Sequence, residues 1–124
     1  MLSTATEYAA VACSEFLRRG RAVAWRTVEQ VVALAPRRYV DTEEAAEIND
    51  EFFELTHVYP LLVIDGVQLL GSTEHEERVL LKVLNERLIR RVATMVLVSP
   101  ASATGEGTSV LIQFLLANYL AEIL

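Results

Sequence analysis

Asp65 is the residue to which chemistry is most readily assigned in this sequence. It closes the apolar run Leu61–Ile64 and is followed directly by Gly66. A carboxylate at the end of a buried strand can hold part of a magnesium shell, but Mg²⁺ ordinarily takes one or two carboxylates together with phosphates and waters. No second acid adjoins Asp65, so capping of a strand–loop turn is the competing role. Gly105, Gly107 and Thr108, in the stretch TGEGTS, are candidates for contacts to a nucleotide phosphate, because amides at a helix start attract anions. That stretch contains no lysine, and it has a complete role as a connector whose Thr108 or Ser109 caps the next helix. His57 and His75 stand beside carboxylates but far apart, without further ligands at metal-binding spacing. Cys13 lies near an apolar helix face with no histidine of evident role, and reads as a buried, inert thiol. No catalytic residue and no cofactor are expected.

Residues suited to contact rather than chemistry are easier to find. Arg87, Arg90 and Arg91 close a helix, where they complement its dipole or meet a partner. Val110, Phe114, Leu115 and Tyr119 belong to an apolar C-terminal segment within residues 100–124, a candidate for mediating association. The acids from Glu43 to Glu54 form a solvated helix face or a patch complementary to a basic partner. Trp25 with Tyr39 reads as core, with a contact surface as the alternative.

The elements that must position these groups follow from periodicity. Thr4 and Glu7 have capping-box spacing ahead of a helix carrying Tyr8, Val11, Ala12 and Phe16, which Gly20 stops. RAVAWRTV reads as a short buried strand, and a brief helix from Val28 to Leu34 precedes Pro36. Asp41 and Glu44 open an acidic helix whose Ala45, Ile48, Phe52 and Leu55 share one face. PLLVID is a continuous apolar run, the pattern of a parallel strand buried on both sides. Thr73 and Glu76 open a helix to Arg91 that buries Leu80, Leu81, Leu84 and Leu88. ATMVLVS is a third strand, and VLIQFLLANYLAEIL a closing helix. Alternation of this kind builds a parallel sheet with helices on its faces.

The 124 residues suit one domain, able to bury roughly two thirds of its unfolded surface. Apolar residues make up 52% and the net charge is −6, which argues against nucleic acid and anionic membrane as direct partners. The charge is segregated, with +3 over residues 1–40, −11 over 41–77 and +2 over 78–124. One cysteine forms no internal disulfide. No secretory signal or membrane-length apolar run is visible, so a cytoplasmic setting is expected.

YPLLVIDGVQLL resembles the Walker B strand of P-loop ATPases. Its setting resembles the helicase-loader and transposase-helper branch of the AAA+ superfamily. FLRRGRAV, EERVLLKVLNERLIRR and ATMVLVS follow that branch in order, from Glu7 to about Ser99. The resemblance implies a three-layer α/β/α domain with a three-stranded parallel sheet, strand 2 central between strands 1 and 3. It also implies that Arg87, Arg90 and Arg91 occupy positions presented to a neighbour's nucleotide. The departures are specific. Walker A, GxxxxGK[ST], is missing; Lys82, the only lysine, lies in a helix; and Gly66 stands where the family places the acid that polarises water. The expectation is one truncated AAA+-like domain over residues 1–124. It would act as a non-enzymatic interaction or regulatory module that self-associates or docks onto an AAA+ protein of DNA replication or transposition. The alternatives are a nucleotide-binding ATPase with an atypical phosphate site or a second chain, and a plain homo-oligomeric domain.

Overall fold

The computed structural model describes residues 4–34, 43–67 and 74–98. Seven elements follow one another: α1 (Thr4–Arg18), β1 (Val23–Thr27), α2 (Val28–Ala33), α3 (Glu43–His57), β2 (Leu61–Val67), α4 (Glu74–Ile89) and β3 (Ala93–Val98). The strands form one parallel sheet in the order β1-β2-β3. β2 is therefore central, and its first four residues are buried on both faces. That explains why its sequence is continuously apolar rather than alternating.

The side-chain alternation of β2 feeds two cores. Leu62 and Ile64 join Ala24, Val31, Leu55, Leu80 and Leu84 in the larger one, beneath α2, α3 and α4. Leu61 and Val63 point the other way, joining Leu97 and Ala9 under α1, with Cys13, Phe16, Trp25 and Met95 at the margin. Burial of each such Leu, Ile or Val stabilises by about 1.5–3 kcal/mol relative to exposure. Among the described residues three layers result, with three helices on one face and one on the other. The distribution follows from crossover handedness: both β–α–β connections step in the same direction along the sheet, so a right-handed path sends both over the same face. α1 precedes β1 and is free to take the other.

Helix ends are set by backbone geometry. Gly20 adopts φ +73° after α1, and the amides of Gly20 and Arg21 donate to Leu17 O and Phe16 O at 2.9 Å each. This pair of bonds is a Schellman termination. α4 ends the same way, with Arg91 at φ 57° and the amides of Arg91 and Val92 donating to Leu88 O and Arg87 O. At the start of α2, Thr27 and Gln30 form a reciprocal capping box.

Several sequence expectations are corrected. On α1 the buried stripe is Ala9 with Ala5, Ala12, Cys13 and Phe16 against the sheet, while Tyr8 and Val11 lie at the flank and Val11 is 70% exposed. The small residues let the helix sit close to the strands, which turns the larger ones outward. On α4 the buried set is Val79, Leu80, Val83, Leu84 and Arg87; Leu88 is 37% exposed because Arg87 takes the inward position at the last turn. α4 ends at Ile89 rather than Arg91. The capping residues Asp41 and Thr73, the side chains of Ala45 and Ile48, and Pro36, Tyr39 and Ser99 lie outside what is described. So does the segment 100–124.

Candidate functional site

In a parallel α/β sheet, groups available for chemistry collect where the strands end at their carboxyl edge. Here β2 brings Asp65 opposite Thr27 of β1 and Leu97 of β3. The strand then breaks step: a bulge separates Asp65 from Val67 in the pairing with β3, with Gly66 between them at φ +77°. A non-glycine residue rarely adopts that backbone conformation. Up to Asp65 the odd-numbered residues face α1. The extra residue reverses the alternation, so Val67 seals the larger core instead.

Among the described residues Asp65 is bonded by Trp25. Trp25 Nε1 donates to its Oδ2 at 3.4 Å, at the long end of hydrogen bonding. The indole bridges the two strands on the α1 face, with its ring on the smaller core. The other polar groups at this edge are engaged locally. Thr27 Oγ1 accepts from the Gln30 amide at 3.2 Å, and the Thr27 amide donates to Gln30 Oε1 at 2.9 Å. Arg26 Nη1 donates to the Trp25 carbonyl at 3.0 Å. Among the described residues no three His, Cys, Asp or Glu side chains converge at metal-binding range. The arrangement at Asp65 thus orients one carboxylate, through an indole, at a bulged strand end.

Lys82 lies in α4 with its ammonium 5.9 Å from the Phe52 ring centroid, a cation–π distance. The two histidines are kept apart. His75 is exposed in the first turn of α4. His57 ends α3, stacked on Phe53 at 4.3 Å between ring centroids, with Nε2 3.7 Å from Glu86 Oε2. Cys13 is half-buried, and desolvation raises its thiol pKa above the ordinary value, which keeps it protonated and poorly nucleophilic near neutrality.

The three arginines at the end of α4 separate into two kinds. Arg90 and Arg91 are exposed. Arg87, expected beside them at a contact surface, has 0% of its surface accessible. Its Nε donates to Thr94 Oγ1 at 2.7 Å and its Nη1 to Leu55 O at 2.6 Å. Its Nη2 donates to Tyr59 O at 2.9 Å and to Ala93 O at 2.8 Å. Leu55 belongs to the last turn of α3, where carbonyls have no intrahelical donor. The guanidinium therefore caps α3 from outside, complements its dipole and ties the turn before β2 to the start of β3. Contact with a partner's nucleotide is closed to it.

The sequence signal for this role was present. Arg87 continues the stripe Leu80, Val83, Leu84 at helical spacing, so it falls on the buried face of α4. Its charge pointed outward while its position pointed inward. Gly105, Gly107, Thr108, Val110, Phe114, Leu115 and Tyr119 all lie outside the described residues.

No family model matches this chain, and neither curated proteins nor solved structures give a significant match.

Proposed function

We propose that this chain is a non-catalytic interaction module built on an AAA+-type sheet, acting by association with another copy or with an AAA+ partner protein. The observation that carries the reading is Gly66. At the position where the related ATPases place the acid that polarises water, this chain has a glycine at φ +77° within a bulge. That position serves the path of the backbone. An acidic side chain there would find open space but carry left-handed strain of about 1 kcal/mol.

Two further observations support the reading. The single lysine, on α4, lies over the Phe52 ring of α3, and Asp65 is held by Trp25 rather than set, among the described residues, in a cluster of carboxylates. Exposed apolar residues, among them Tyr8, Val11, Leu17 and Ile89, supply surface for association. Titration of the intact chain with ATP and Mg²⁺ by calorimetry tests the proposal. No heat of binding is expected into the millimolar range, roughly the limit of weak recognition. Micromolar affinity would overturn it.

A further inference from the structure

The fold sorts charge by direction. Each of the three long helices leads into a strand through a short connection: α1 into β1, α3 into β2 and α4 into β3. All three therefore run against the strands and finish at the amino edge of the sheet. The dipole rule places bases at helix ends and acids at helix starts. In this topology that local rule gathers Arg18, Arg19, Arg21, Arg90 and Arg91, all exposed, at one pole. Glu7, Glu29 and Glu74, exposed, and Asp65, Glu76 and Glu77, half-buried, gather at the other. The poles stand about 22 Å apart, the length of a 15-residue helix. That exceeds the Debye length of about 8 Å at physiological salt, so each acts on solvent by itself.

Among the described residues, opposite charges at each pole reduce these fields without inverting them. Glu15 holds Arg18 at 2.7 Å and Arg19 at 2.9 Å, and Glu54 and Glu86 also lie at the basic end. Arg78 pairs with Glu74 at 3.2 Å, and Arg26 stands near the acidic end. Among the described residues, the basic pole also carries most of the exposed apolar side chains. Leu17, Val58 and Leu88 are exposed there, and Ile89 is 67% exposed.

We infer that copies of this chain associate head to tail, the arginine-rich pole of one seating on the acidic pole of the next. The inference rests on the reading of the chain as an interaction module and names its partner. A second copy is the occupant because both complementary surfaces belong to one chain, whose net charge of −6 repels nucleic acid. Opposite fields steer the encounter, and burial of Leu17, Val58 and Ile89 slows dissociation. Two different patches meet, so the contact is heterologous. The displacement runs along the strands, so it extends into a stack unless rotation closes it.

Sedimentation velocity of the full chain tests this at about 20 mM and about 0.5 M salt, conditions that span strong and weak screening. Association at low salt should weaken about tenfold or more at high salt. Two double variants probe the poles, Arg90→Glu with Arg91→Glu and Glu29→Lys with Glu74→Lys, each checked for native circular dichroism. Each variant alone should be monomeric at low salt, because like charges then face each other. An equimolar mixture of the two should associate again, which also excludes misfolding as the cause of the loss. A monomeric wild type at low salt would overturn the inference. So would salt-independent association, or loss of association on reversal of one pole only. Failure of the parent reading has a separate signature, binding of ATP–Mg²⁺ in the calorimetric titration.

Discussion

Arg87 concentrates most of the consequence of a single side chain in this molecule. Its hydrogen bonds reach Leu55 O, Tyr59 O, Ala93 O and Thr94 Oγ1 from a fully buried position. Arg87→Leu would leave three carbonyls without that donor in a dry environment, and each such orphan costs about 1–3 kcal/mol. The expected loss is about 3 kcal/mol or more, seen as a lower urea midpoint in equilibrium unfolding. Arg87→Lys should recover only part of it, because an ammonium with three donors cannot reproduce the planar fork. A midpoint within error of wild type for Arg87→Leu would remove the capping role. Sequence reading misjudged this residue, since side-chain charge and helical position gave opposite answers. Burial was decided by position because α3 offered unsatisfied carbonyls at the right height. Asp65 was legible as the acid that closes the apolar run, but β2 continues past it to Val67; its bond to Trp25 was not legible, because nothing in sequence sets two strands beside each other at that register.

At the scale of elements, the two Schellman terminations make opposite predictions. Gly20 sits at φ +73° with open space where a Cβ would be, so Gly20→Ala should cost about 1 kcal/mol from backbone strain alone. Arg91 already carries that strain at φ 57°. Arg91→Gly should raise stability, by up to about 1 kcal/mol. Paired thermal melts of the two variants should move Tm in opposite directions; shifts of the same sign would refute the shared motif. The stop at Gly20, the short helix after β1 and the continuous apolar β2 were all legible, because each rests on local conformational preference. The facing of α1 and α4 was only partly legible. Periodicity identifies a stripe but not its centre, and on α1 the sheet selected the alanines over Tyr8 and Val11 for close approach.

For the whole molecule, the parallel order β1-β2-β3 was legible through the resemblance in element order, and the crossover rule accounts for three helices on one face. The result is an unequal pair of cores. Among the described residues the larger draws on α2, α3 and α4, whereas α1 is the one helix packed on the smaller. Native-state hydrogen exchange should therefore protect Leu62–Ile64 of β2 most strongly, through global unfolding, while amides of α1 exchange through a smaller opening. Equal protection of α1 and β2 would mean that the two cores melt together. Gly66 bears on this inequality in a further way. Were it paired in regular register with β3 instead of bulged, strict up–down parity would continue beyond Asp65. Val67 would then swing toward the α1 layer, unplugging the roof of the better-packed side. A residue without a side chain thus decides which of two hydrophobic compartments receives the last valine of the strand.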